Sequence, residues 1–314
     1  MTKEFVQDKV CIVNNTLGGH GMIDLHMHSS YSDDGEFTPV ELVRKCRAAG
    51  ITTMSITDHN SARGNKEAKQ EAEKLQVHFI PGIELDCTFG GVNLHLLGYQ
   101  INDKSSDFEA LSKNILSQEK KASYERLKLT RKLGFEISEN EMNALSNINE
   151  GICLWSGEHF AEILLAKKEY KDHPLLLPYR DGGARSVNPY LNFYWDFYGQ
   201  DKPCYVHVNF PSLKEAIALI RDNGGKAVLA HPGNNLKNRF ELFDEIVLQG
   251  IDGVEAFCSY HNKEDADYFY KKGLAHSLII TCGSDYHGKV KPAVALGKSG
   301  CPAEVMKTIA VSLS

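Results

Sequence analysis

The hydrophobic and polar positions fall into two rhythms. From residue 22 to about 101, short apolar runs alternate with helical patterns. Runs at 22–28, 52–59, 78–84 and 92–99 read as strands, and 39–49 and 65–75 as the helices between them. The alternation resumes near 226. Strands are expected at 226–231, 253–257 and 278–284, and helices at 213–222, 239–248 and 263–272. Alternating strand and helix predicts an α/β fold on a parallel sheet, open or closed into a barrel.

The segment 103–212 breaks this rhythm. A long charged amphipathic stretch at 108–133 predicts one helix or a helix pair, and further helices are expected at 139–145 and 159–168. Residues 174–205 follow, rich in Pro, Gly, Tyr, Trp and Arg. The whole segment reads as a mostly helical inserted cap between 22–102 and 213–314. Residues 1–21 carry no matching pattern, while Met22 opens the first strand directly. Codons for Gly18-Gly19 can resemble a bacterial ribosome-binding site, so Met22 is read as the natural start; an extra edge strand at 9–13 is the alternative.

Composition narrows the class. At 314 residues the chain has room for about two domains. With 42% hydrophobic and 24% charged residues, it is neither disordered nor fibrous. The balance of 35 basic against 41 acidic residues gives −6, which disfavours strong binding to duplex nucleic acid. The eight cysteines contain no C-x-x-C pair and read as reduced thiols of a cytoplasmic protein. No apolar run approaches the roughly 18 residues of a membrane span. The anomaly is 13 histidines beside only 2 tryptophans, which calls for a chemical explanation.

Six of those histidines sit in strands or at their ends. In Met22-Ile-Asp-Leu-His26-Met-His28 the apolar residues face one side, and Asp24, His26 and His28 the other. Two histidines at i and i+2 can therefore chelate one ion. Other runs end in Asp58-His59, Glu84, His231 and Asp285-Tyr-His287, and His95 lies within another. In a parallel barrel these ends converge on one face. So many imidazoles and carboxylates would be costly together without cations, and they suit Zn, Mn or Fe.

The set His26-Met-His28, Ser32-Asp33-Asp34-Gly35, Thr57-Asp58-His59, Gly82-Ile-Glu84, Ala230-His231-Pro232-Gly233 and Gly283-Ser284-Asp285-Tyr286-His287 resembles the polymerase and histidinol phosphatase (PHP) superfamily, in order and spacing, from Met22 to about Gly297. The resemblance implies a distorted (β/α)7, TIM-like barrel and three divalent ions. His26, His28, Glu84 and Asp285 would hold the first; Glu84, His95 and His231 the second; Asp33, His59 and His287 the third. Asp33 is preferred to Asp34 on its distance from His28. A hydroxide bridging the first two ions would attack phosphorus, with Glu84, Asp285 and His231 around it. Asp58 would orient His59 or simply cap the following helix.

Substrate contacts are less sharply marked. Arg180 and Arg185, in a Gly-rich cap loop, could clamp a phosphate or be solvated surface arginines. His261 resembles a family position that contacts phosphate. The aromatics Tyr190, Phe193, Tyr194, Trp195, Phe197 and Tyr198 could stack on a base or form the cap's small core. Glu255 reads equally as a support for the site or as structure. Many capped relatives carry Gly-Arg-Pro-His where this chain has Ser156-Gly157-Glu158-His159, a departure that weighs against carrying over their nucleotide bisphosphate or exoribonuclease specificity. The reading is a cytoplasmic metal-dependent phosphoesterase acting on a small phosphorylated metabolite or nucleotide. A 5′-3′ exonuclease on short RNA or DNA ends, an inactive metal-binding module and a barrel metallohydrolase of C–N bonds are the alternatives.

Overall fold

Short apolar runs bounded by turn residues become strands, of which β7 is buried on both faces along its length. The computed structural model describes residues 21–146, 154–237 and 239–313, so expectations for residues 1–20 lie outside it. Among the described residues the strands are β1 Met22–Asp24, β2 Ile51–Met54, β3 His78–Phe79, β4 Gly82–Phe89, β5 Val92–Tyr99, β6 Lys226–Leu229, β7 Gly253–Cys258 and β8 Ile279–Gly283. The α-helices are α1 Pro39–Ala48, α2 Asn65–Leu75, α3 Ser106–Lys132, α4 Glu139–Ser146, α5 Gly157–Ala166, α6 Pro189–Phe197, α7 Leu213–Asp222, α8 Pro232–Leu236, α9 Leu242–Leu248, α10 Lys263–Ala275 and α11 Ala303–Ser312.

Strands β1-β2-β3 form one parallel sheet, and β4-β5-β6-β7-β8 form a second. In the second, β6-β7-β8 are parallel, but β4–β5 and β5–β6 are antiparallel. This departs from the all-parallel expectation for a local reason. Gly90 and Gly91 adopt φ of +57° and +75°, which glycine reaches without a Cβ penalty. The chain therefore turns straight back, with Phe89 opposite Val92, instead of crossing over through a helix. The expected strand 78–84 also divides at Pro81, which has no N–H to give a ladder.

Hydrogen bonds join the two sheets at both sides. Leu25 N donates to Cys282 O at 3.1 Å, His28 N to Tyr286 O at 2.9 Å, and Asp285 N to His26 O at 2.8 Å. On the other side Glu84 N donates to Asp58 O at 3.1 Å and Asn60 N to Glu84 O at 2.7 Å. Gly283 permits the close approach of β8 to β1, since a Cβ there would lie 2.2 Å from His26 Cβ.

Three apolar clusters fill the interior. The largest packs Leu25, Ile83, Leu97, Val228 and Phe269 under the larger sheet. A second sets Met27, Leu42, Ile51 and Ala68 between the small sheet, α1 and α2. The third lies within 103–212 and gathers Leu127, Trp155, Phe160, Leu164, Phe193 and Tyr198. Residues 106–132 form one helix, started by Ser105 Oγ accepting from Asp107 N. Lys289 Nζ reaches Glu162 of α5 at 2.8 Å, tying the loop after β8 to that segment.

Candidate metal centre

The site begins on the residues that continue β1. Leu25 and Met27 are buried in apolar clusters, so His26 and His28 face the opposite side, as alternation requires. His26 Nε2 lies 3.2 Å from Glu84 Oε2 and 3.3 Å from Asp285 Oδ1. His28 Nε2 lies 3.1 and 3.2 Å from the same two atoms. Glu84 then turns its other oxygen to a second group: Oε1 stands 3.0 Å from His95 Nδ1 and 3.2 Å from His231 Nε2. A third group gathers His28, Asp34, His59 and His287. His287 Nε2 is 3.0 Å from Asp34 Oδ2, and its ring stacks on His28 at 3.9 Å between centroids.

The donor atoms are those a divalent cation would need. His26 Nε2, His28 Nε2, His287 Nε2, His59 Nδ1, Glu84 Oε2 and Asp34 Oδ1 are buried without a hydrogen-bond partner, although they converge within 4.8 Å in their groups. Buried polar atoms are rarely orphaned, and imidazole nitrogens with carboxylates suit Zn, Mn or Fe. The set therefore fits cations. Its electrostatics agree. Burial alone would raise the Glu84 carboxyl, yet the imidazoles of His26, His95 and His59 hold it well below the usual range. Burial, with His287 and His59 beside it, lowers His28 to about 4, so it offers a neutral nitrogen.

Neighbouring acceptors fix the ring orientations. Glu255 takes the His26 Nδ1 proton at 3.0 Å and also accepts from His231 N at 2.9 Å. Ser32 Oγ accepts from His28 Nδ1 at 3.0 Å, Asn235 Oδ1 from His231 Nδ1 at 2.5 Å, and the Asp285 carbonyl from His287 Nδ1 at 2.9 Å. Each of these four rings is thereby set to present Nε2, the arrangement that orients metal-ligating histidines. Beneath them Asp24 accepts from Ser284 N and Oγ and from Gly297 N, pinning the turn after β8.

The structure places several of the expected site residues elsewhere. Asp34, not Asp33, stands in the third group. Gly35 lets the turn pack against Ser29, and consecutive residues of a tight turn point to different sides. Asp33 instead faces the acidic neighbourhood of Asp34, Glu119 and Glu158; burial above all, then those charges, raises its carboxyl. Asp58 does not bond the His59 ring. It accepts from Ser29 N at 2.6 Å, Ser29 Oγ at 2.7 Å and Ser32 Oγ at 3.1 Å, so it holds the turn that carries Asp34 and supports His28 through Ser32. Arg180 donates to the Leu165 and Tyr170 carbonyls, and Arg185 pairs with Asp196 at 2.9 Å, so both serve the segment's own packing. His261 gives its Nδ1 proton to Ala256 O and accepts from Gly233 N at Nε2, so both nitrogens are engaged.

Two residues were missed. Asp86, two places beyond Glu84 on β4, sets Oδ1 3.1 Å from His95 Nε2; strand alternation put it on the same face. Lys291 places Nζ 2.6 Å from Asp285 Oδ2, and no local pattern announces it. A cavity of about 510 Å³ opens over all three groups and is lined on its other side by Leu116, Glu119, Arg126, Glu158, Tyr194 and Trp195 from 103–212. The aromatic stretch thus divides: Phe193 and Tyr198 are core, while Tyr194 and Trp195 line the cavity. No helix among the described residues is long and apolar enough to cross a membrane.

Known proteins are similar to this chain in sequence and fold. Residues 24–202 match the PHP domain family. A 3′,5′-nucleoside bisphosphate phosphatase of Chromobacterium violaceum is 28% identical, over 84% of this chain and 87% of that protein. A phosphoribosyl 1,2-cyclic phosphate 1,2-diphosphodiesterase of Eggerthella lenta is 26% identical, over 85% and 94%. A 5′-3′ exoribonuclease of Haemophilus influenzae is 26% identical, over 84% and 89%. A Bifidobacterium adolescentis crystal structure, of a protein assigned to the metal-dependent phosphoesterases, superposes with TM-score 0.73 at 25% identity, covering 92% of this chain and 95% of that one. A family match over more than half of the chain, joined to a histidine–carboxylate cluster that fits cations, leads to one conclusion: the chain belongs to the PHP domain family and is a phosphoric ester hydrolase.

Proposed function

We propose that the protein hydrolyses a phosphate ester of a small metabolite or nucleotide at a centre of three divalent ions, Zn, Mn or Fe. The carrying observation is the division of Glu84: Oε2 faces His26, His28 and Asp285, and Oε1 faces His95 and His231. A carboxylate so divided suits two neighbouring cations. The third would be held by Asp34, His59 and His287, with Asp34 replacing Asp33. Ions bound there would supply Lewis acidity toward phosphoryl oxygens and acidify a water. Glu255, Ser32 and Asn235 keep the imidazoles aimed, and Asp58 keeps the turn of Asp34 in place.

The scaffold reading follows. Residues 22–102 and 213–314 form a distorted (β/α)7 barrel, and 103–212 form its cap. The bonds that join both sides of the two sheets and the separate apolar cluster of 103–212 support this division. A cavity of about 510 Å³ suits a nucleotide-sized ligand, and Tyr194 and Trp195 offer faces on which a base could stack. These features favour a small substrate, including a nucleoside bisphosphate, over a long strand.

The test is a hydrolysis screen of the metal-loaded enzyme against phosphate monoesters, 3′,5′-bisphosphates and short oligonucleotides, with metal analysis alongside. About three ions per chain are expected, and His26→Ala should abolish turnover. Turnover retained by that variant would move the chemistry elsewhere. Preference for oligonucleotides would favour the exonuclease reading.

A further inference from the structure

We propose that Lys291 is a catalytic residue whose ammonium binds the phosphoryl group under attack. The inference rests on the phosphoesterase reading and adds the cation that meets the substrate beside the metal groups.

Among the described residues lining the cavity, six are Arg or Lys, namely Arg63, Arg126, Lys202, Lys237, Arg239 and Lys291. Five are engaged elsewhere or lie toward solvent. Arg126 bonds Glu119 at 2.6 Å, Lys237 stands over the Trp195 ring, and Arg239 donates to the Gly90 carbonyl. Arg63 is exposed over the Tyr31 ring, and Lys202 is exposed. Lys291 alone is buried, at 4% exposure.

Its donors are incompletely used, although the Glu158 carboxyl in the same cavity lining also acts on its charge. An ammonium carries three donors. Among the described residues Asp285 is its one hydrogen-bond acceptor, at 2.6 Å, with the Tyr260 ring 5.1 Å from Nζ. Asp285 is itself divided: Oδ2 takes the lysine, while Oδ1 faces His26 and His28 at 3.3 and 3.2 Å. A cation in that group would draw on the same carboxylate. The lysine would then be a buried charge with a shared partner and two unused donors, an arrangement that is costly until an anion completes it. A phosphoryl group at the first metal group, with its charged oxygens, is an anion of the right size and place. Preorganised donors aimed at such oxygens are a principal source of phosphoryl-transfer catalysis. The residue is brought there by a turn: Gly288, at φ +73°, reverses the chain after His287, and Lys291 N returns to Gly288 O at 3.1 Å.

The experiment compares wild type, Lys291→Met, Lys291→Gln and Lys291→Arg, each metal-loaded. The readouts are kcat/KM on the best ester of the screen, inhibition by inorganic phosphate, and metal content. Lys291→Met is expected to lower kcat/KM about 100-fold and to raise the phosphate inhibition constant at least about 10-fold, with metal content unchanged. Lys291→Arg should restore part of both. Lys291→Gln serves if the methionine variant does not fold. Phosphate inhibition unchanged from wild type, or activity lost only in proportion to lost metal, would overturn the proposal and leave Lys291 a positioning residue for Asp285. A wild-type enzyme that hydrolyses no phosphate ester would instead overturn the phosphoesterase reading itself.

Discussion

Glu255 holds His26 by its far nitrogen, with Oε1 3.0 Å and Oε2 3.2 Å from Nδ1, in a contact fully buried from solvent. The same carboxylate accepts from the backbone of His231, so one side chain aligns a ligand candidate of each of two metal groups. Glu255→Gln keeps the volume but weakens the acceptor. Metal affinity should fall about 10- to 100-fold, measured by chelator competition, while the fold is retained by circular dichroism. Unchanged affinity would reduce Glu255 to a packing residue.

The neighbouring aspartates of the 32–35 turn separate cleanly. Asp34 faces His287 and His59, and Asp33 does not join them. Asp34→Asn should therefore lose about one ion per chain and most of the turnover, whereas Asp33→Asn should retain full metal content. Elemental analysis of the two variants decides, and the reverse pattern would restore Asp33 as the ligand.

Metal binding should release protons. Burial works against a proton on His95, but the Glu84 charge and the hydrogen bonds that the ring donates to Asp86 and Glu84 outweigh it and raise this imidazole to about 10 in the metal-free protein. Its raised value stabilises the metal-free fold fully below pH 6.5, and that contribution is lost as pH rises toward 10. A cation at His95 must displace the proton, so apparent affinity should climb between pH 6.5 and 8.5. Titration in weak buffer, following released protons, tests the sign; affinity that falls with pH would contradict it.

The two parts of the aromatic stretch should answer differently to truncation. Phe193 is fully buried in the 103–212 cluster, so Phe193→Ala should cost about 3–5 kcal/mol of stability. Trp195 lines the cavity, so Trp195→Ala should leave the melting temperature nearly unchanged and raise KM for a nucleotide. Thermal melts and kinetics on both variants check the division.

Much of this could be read from local pattern. Alternation placed His26 and His28 on one face, and strand ends marked His231 and Asp285, because a period of two fixes side-chain direction wherever a strand forms, whereas Glu84, expected at a strand end, lies near the start of β4. The same rule applied to β4 would have found Asp86. The choice between Asp33 and Asp34 was not legible, since a turn has no period and one bond rotation exchanges the two. The arginines of the 179–185 loop looked available because their acceptors, the Leu165 and Tyr170 carbonyls and Asp196, are contributed by the surrounding fold.

The chain itself determined the strand–helix order, the break at 103–212 and the convergence of histidine and carboxylate on one face. These depend on short-range sterics and on hydrophobic periodicity, which act within a few residues. Only the tertiary structure decided the pairing of β5 with β6, the division of Glu84 between two groups and the grip of Glu255 on His26. Those depend on contacts between residues as many as 229 positions apart, where direction and distance are set by packing rather than by spacing along the chain.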